Sequence, residues 1–182
     1  MPAASPTAQA PPLDLPPLPS PVPAAPDKMF GLSLPAKAPA VADERAAGPA
    51  IQIGRVQIPS IHVDHPIFEG VTLTVVDHGP GHWPGSAMPG EPGNTVFAGH
   101  RTTHDKPFAD LDLVKAGDQV TFELGGRRAV YEVTGTVIVD GNDTGIALPT
   151  ANPTMTLFAC HPKGSAAQRI VVQGKLLSTG PA

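Results

Sequence analysis

The chain holds one cysteine, Cys160, at the end of the run Thr154-Met155-Thr156-Leu157-Phe158-Ala159, which reads as a buried strand. His161-Pro162-Lys163-Gly164-Ser165 follows at once and reads as a loop. A cysteine where strand meets loop can present its sulfur at a barrel mouth. The alternative is a small buried apolar residue, the usual lot of a free cysteine. Nucleophilic work needs thiolate, so a base or cation must stand close. Of seven histidines, His161 is adjacent in sequence but points to the opposite face of an extended chain. His100 is better placed. It closes the strand Asn94-Thr95-Val96-Phe97-Ala98-Gly99, whose small last residues admit a close neighbour. His62, His65, His78 and His82 read as structural or surface groups.

Acyl transfer also develops negative charge on a carbonyl oxygen. Arg169, at the start of Arg169-Ile170-Val171-Val172, would come beside Cys160 if the intervening loop returns into an antiparallel strand. Its guanidinium only donates hydrogen bonds and stays charged, which suits an oxyanion; the alternative is a solvated strand-end charge. A zinc-protease site is not expected from the same residues. His100 and His104 have zinc-protease spacing, but Arg101 stands where that motif needs Glu, and Thr102-Thr103 and Lys106-Pro107 break the required helix.

These groups need rigid strands to hold them, and the composition supplies them. Of 24 prolines, 13 fall in residues 1–50 and 11 in the rest. The stretch from Pro2 to Pro26 has no apolar periodicity and favours polyproline II, so residues 1–50 read as an irregular Pro/Ala-rich linker or stalk. From Ile51 to Ala182 the pattern is that of one folded domain. Strands are expected at Ile51–Pro59, His62–Phe68, Asn94–Gly99, Gln119–Leu124, Ala129–Asp140, Thr154–Cys160 and Gln168–Leu176. Only Thr72–Val76 and Lys106–Val114 look helical. The class is all-β, a barrel or sandwich. One cysteine excludes an internal disulfide and a Cys-rich zinc site. A net charge of −4 argues against nucleic acid as partner. No apolar run approaches membrane-spanning length and no signal peptide opens the chain, so these residues are expected to be soluble.

The order His100, Cys160, Arg169 on three strands resembles the sortase family of cysteine transpeptidases. The resemblance covers Ile51 to Leu176 and rests on four blocks: Gly79-Pro80-Gly81-His82-Trp83-Pro84-Gly85, Pro89-Gly90-Glu91-Pro92-Gly93-Asn94, Ala98-Gly99-His100-Arg101-Thr102-Thr103, and Cys160-His161-Pro162-Lys163-Gly164-Ser165 with Gln168-Arg169. They look most like the class E sortases of high-GC Gram-positive bacteria. The resemblance implies an eight-stranded sortase-type β-barrel with short helices. It implies cleavage of the Thr–Gly bond in a C-terminal sorting signal and transfer of the acyl group to an amine of a cell-wall precursor or a pilin. Cys160 would be nucleophile, His100 general acid and base, and Arg169 oxyanion and substrate stabiliser. Ala98, Thr102, His104, Leu157 and Ala159 would contact the signal peptide. Neither metal nor organic cofactor is implied, and no acidic cluster matches the calcium site of some class A members.

Two positions depart from the family pattern. Ala159 stands where a Thr usually precedes the nucleophile, and His104 where class E members often have Tyr. The second bears on the residue after the leading Leu of the signal, and a Leu-Ala-x-Thr-Gly signal is expected over Leu-Pro-x-Thr-Gly. The family carries a membrane helix ahead of the barrel, so the parent protein is expected to be anchored on the extracellular face of the cytoplasmic membrane, with residues 1–50 as its stalk. Leu176-Leu177-Ser178-Thr179-Gly180 mimics a sorting signal by chance, lacking the apolar tail and basic end. An L,D-transpeptidase fits less well, since its nucleophile sits in Ser-His-Gly-Cys. A papain-like enzyme would reverse the order of Cys and His. A catalytically silent wall-binding barrel is the alternative of a different class.

Overall fold

The computed structural model describes residues 49–182, together with the backbone of two short strands, β1 (Lys28–Met29) and β2 (Leu32–Ser33), which pair antiparallel. The polyproline expectation for Pro2 to Pro26 lies outside the described residues. By compactness the chain divides into Met1–Ser33 and Leu34–Ala182.

The second unit is built on eight strands: β3 (Gln52–Ile58), β4 (Val63–Glu69), β5 (Gly81–His82), β6 (Asn94–Ala98), β7 (Gln119–Leu124), β8 (Arg127–Asp140), β9 (Thr154–His161) and β10 (Gln168–Pro181). They close into a barrel in the order β10-β8-β7-β3-β4-β5-β6-β9. Closure leaves no unpaired strand edge. Most pairs are antiparallel; β4 with β5 and β6 with β9 are parallel.

Alternation fills the barrel. Val56 and Ile58 of β3, Val120 and Phe122 of β7, and Ala129, Tyr131 and Val133 of β8 turn inward at every second position. Phe122 stacks on Phe97 at 4.9 Å between ring centroids and meets Tyr131 edge-on at 5.8 Å. β9 instead reads as a nearly continuous buried run, because its outer face is covered too. A second apolar cluster of Val96, Phe158, Val171 and Ala147, flanked by Trp83 and Ala98, lies on that outer face. Ala147 comes from a 3₁₀ turn, Thr144–Ala147, in the connection between β8 and β9. Asn94 fastens that connection to the barrel. Its Nδ2 donates to the carbonyls of Ile146 (3.0 Å) and Leu148 (3.2 Å), and its Oδ1 accepts from Thr156 Oγ1 at 2.9 Å.

The structure amends three expectations. β5 is a two-residue strand that patterning cannot reveal; it exists because Gly81 comes so close to Gly70 that a Cβ there would sit 2.1 Å from the Gly70 carbonyl oxygen. β10 continues to Pro181, past the expected end at Leu176. The helix expected over Lys106–Val114 reduces to a 3₁₀ turn at Leu111–Leu113, because Lys106 takes a left-handed φ of 50° before Pro107. The other expected helix forms as α1 (Leu73–Val76).

Candidate active site

Register brings the three chemistry-bearing side chains to one end of the barrel. Arg169 pairs directly with Cys160 across the β9–β10 ladder. β6 and β9 pair in parallel from Asn94–Thr154 to Ala98–Phe158, and the Gly99 amide donates to the Phe158 carbonyl at 3.1 Å. The same register carried two positions further sets His100 level with Cys160. Their common face follows from alternation: Leu157 and Ala159 belong to the interior core, Phe158 to the outer cluster, so Cys160 follows Phe158 outward. The sulfur therefore belongs to the outer wall beside the covered patch, at the end of the barrel where β9 passes into its loop. Cys160 is half-buried.

Leu157 and Ala159 are accordingly corrected as peptide contacts. Both are buried in the interior core (Leu157 fully, Ala159 at 2% exposure), so they support the strand beneath Cys160. The Ala159 departure thus removes a hydroxyl from an inward-facing position. Ala98 packs on the outer cluster beside the site, and Thr102 and His104 are exposed in the loop after β6.

That loop is shaped by two residues. Gly99 receives the ring of Phe108, since a Cβ on Gly99 would meet it at 2.5 Å, and the Phe108 amide donates to the His100 carbonyl at 3.1 Å. His104 adopts a left-handed φ of 53°, uncommon outside glycine, and its ring stacks on His100 at 5.0 Å and 21°. His100 Nε2–H donates to Asp77 Oδ1 at 2.8 Å, and His104 Nδ1 lies 3.3 Å from the same oxygen. Asp77 follows α1, a place that gave no sequence signal. A carboxylate that accepts a hydrogen bond from Nε2–H fixes the ring and leaves Nδ1 as its other polar atom.

A second group missed in sequence lies behind the site. Arg101 is 3% exposed; its Nη1 donates to His161 Nδ1 (2.8 Å), its Nη2 reaches Asp112 Oδ1 (2.7 Å) and its Nε donates to the Ala109 carbonyl (3.3 Å). His161 thus faces away from Cys160, as alternation requires, and joins the residue after His100. Because guanidinium cannot accept, His161 Nδ1 must offer its lone pair. Partial burial would push the Asp112 carboxyl up, but the Arg101 hydrogen bond, a backbone amide and the charges of Arg101 and Lys163 hold it below the ordinary value. Lys163 Nζ, 3.1 Å from Asp110 Oδ1, adds an exposed tie between the same segments.

Arg169 donates through Nη1 to the carbonyls of Ala166 (2.8 Å) and Gln168 (3.1 Å), and has no ion pair among the described residues. His82, 2% exposed, lies elsewhere. It joins Glu69 Oε2 (3.0 Å) to Ser86 Oγ (2.9 Å) and holds β5 against the end of β4.

Comparison with known proteins gives a consistent picture. The family model of the sortase domain matches residues 56–177. Sortase D of Bacillus subtilis is 34% identical over 126 residues, which cover 67% of this chain and 62% of that protein. The sortase SrtE1 of Streptomyces coelicolor is 28% identical over 142 residues, covering 69% of this chain and 40% of that one. The chain thus spans less than two-thirds of these relatives. A Clostridium perfringens sortase D5 transpeptidase superposes with a TM-score of 0.64 at 31% identity, over 70% of this chain and 79% of that structure. The likeness extends over more than one sortase class.

Proposed function

This chain belongs to the sortase family, and from that premise we propose that it is a transpeptidase acting through Cys160, His100 and Arg169. The carrying observation is the row itself: Arg169 paired with Cys160, His100 level with it, on one outer face. In the proposed reaction the Cys160 thiolate attacks the carbonyl carbon of the signal's Thr. The carbonyl electron pair moves to oxygen, where the Arg169 guanidinium donates to it. Collapse re-forms the carbonyl and breaks the Thr–Gly C–N bond, and imidazolium of His100 gives its proton to the leaving Gly amine. The thioester is then attacked by an incoming amine, whose proton returns to His100, and Cys160 leaves as thiolate.

The hydrogen bond from His100 to Asp77 supports this reading, since it holds the imidazole in one orientation during both proton transfers. The class E assignment rests on the sequence blocks and on the likeness to SrtE1, and the Leu-Ala-x-Thr-Gly signal is what that class and His104 imply. His104 and Thr102, exposed beside His100, are the residues we assign to reading that signal. The amine would belong to a cell-wall precursor peptide or a pilin. No helix among the described residues is long and apolar enough to cross a membrane; we assign the whole protein to the outer face of the cytoplasmic membrane, with residues 1–50 as a stalk.

Incubation with Leu-Ala-x-Thr-Gly and Leu-Pro-x-Thr-Gly peptides plus an amine, read by mass spectrometry, tests the proposal. The expected product is the peptide cleaved after Thr and joined to the amine, with a thioester adduct on Cys160 and none in Cys160→Ala. Absence of both product and adduct with either peptide would leave the silent wall-binding barrel as the better reading.

A further inference from the structure

The same loop that holds His100 also gathers a set of metal donors. We propose that Asp77, His100 and His104 form a binding site for a borderline divalent transition metal, of which Zn²⁺ is the natural case, and that occupancy reversibly silences His100.

One ligand atom each from Asp77, His100 and His104 lies within 4.8 Å of the other two, and Asp77 Oδ1 is 2.8 Å from His100 Nε2 and 3.3 Å from His104 Nδ1. A tetrahedral zinc with bonds of about 2.0–2.2 Å holds its ligand atoms roughly 3.3–3.5 Å apart. The carboxylate therefore needs to recede from His100 by about half an ångström while the two ring nitrogens draw in, a change within reach of side-chain torsions. Two neutral imidazoles and one carboxylate suit Zn²⁺, Co²⁺, Ni²⁺ or Cu²⁺, and lack the oxygen ligands that Ca²⁺ and Mg²⁺ require. Three protein ligands leave the fourth position open to water.

Two further features favour the site. His104 is held at a left-handed φ that a non-glycine residue adopts at a cost, and this brings its ring onto His100 with Nδ1 beside the shared oxygen. All three residues remain reachable from solvent, with side-chain exposures of 38% for Asp77, 18% for His100 and 48% for His104. Binding is simple in its proton balance. A neutral ring that points N–H at Asp77 shifts that proton to its other nitrogen and coordinates through the freed lone pair. Once His100 is a ligand, it can no longer carry a proton to or from a reacting amine.

The binding test needs no substrate, so it stands apart from the proposed transpeptidation, on which only the silencing of His100 rests. Co²⁺ is titrated into the full chain carrying Cys160→Ala, which removes the thiol as a ligand, and visible absorption is followed. One equivalent of tetrahedral Co²⁺, displaced by Zn²⁺ and indifferent to excess Ca²⁺ or Mg²⁺, is expected. Asp77→Asn and His104→Phe, the latter keeping the ring stack, should each weaken binding about tenfold or more. Absence of tetrahedral Co²⁺ in the Cys160→Ala chain, or variants that bind as tightly as the parent, would overturn the proposal. Binding that requires the thiol would likewise overturn it, by assigning the metal to Cys160. In a chain with intact Cys160, Zn²⁺ should suppress the adduct-forming reaction and a chelator should restore it; activity that ignores saturating Zn²⁺ would overturn the silencing of His100.

Discussion

Replacing Arg101 with methionine keeps an apolar stem of similar length and deletes the guanidinium. Three contacts go with it: His161 Nδ1 at 2.8 Å, Asp112 Oδ1 at 2.7 Å and the Ala109 carbonyl at 3.3 Å. A hydrogen bond that involves a charged group contributes about 1.5–3 kcal/mol, which applies to the contact with half-buried His161. Asp112 is 44% exposed, so its pair counts at the surface scale of about 0–1 kcal/mol. The long Ala109 contact adds about 0.5 kcal/mol. The sum is roughly 2–4 kcal/mol, or a fall in Tm of about 10 °C for a domain of this size. Thermal unfolding by circular dichroism measures it. Cys160 alkylation on the folded variant measures the second consequence, because Arg101 and His161 directly follow His100 and Cys160. We expect a changed alkylation rate well below the new Tm. A loss under about 1 kcal/mol together with an unchanged alkylation rate would refute the idea that this arginine locks the two segments together.

Arg169→Ala should lower turnover about 10²–10³-fold, and a loss below roughly fivefold would move oxyanion stabilisation to backbone amides. Asp77→Asn should lower kcat by about tenfold with little change in KM, the signature of a misoriented base; an unchanged kcat would mean that His100 is held by other contacts. For acid stability the sign follows from Asp112, whose folded carboxyl lies below its ordinary value. The contribution is complete above the unfolded value of about 3.9 and is lost as pH falls through the lower folded one. Chemical denaturation should therefore show Arg101→Met costing less stability below about pH 3 than at pH 7, and an equal cost at both would remove the carboxylate from the account.

The barrel was legible because most of its strands bury one face, so Val56, Ile58, Val120 and Phe122 mark them by simple alternation. The pairing of Cys160 with Arg169 followed from a short return between adjacent strands. Asp77 and Arg101 were not legible, and for different reasons. Asp77 reaches His100 from the end of a four-residue helix, a contact set by loop path and by nothing periodic. Arg101 drew notice in the sequence only as the residue standing where a zinc-protease motif needs Glu, and its burial with partners 8, 11 and 60 residues away is visible only in the fold. Leu157 and Ala159 were misjudged because nearness in sequence to Cys160 is not nearness on a face; in a strand it means the reverse.

Asn94 has a further consequence. Its amide satisfies two carbonyls of the covering connection with one end and a threonine of β9 with the other. Carboxylate or hydrocarbon could serve one end at most, so this side chain is a two-sided key. The roof over the outer wall beside Cys160 is therefore both packed on the frame through Ala147 and latched to it through Asn94, so lengthening it beyond those two holds is expected to leave the staves beneath in place.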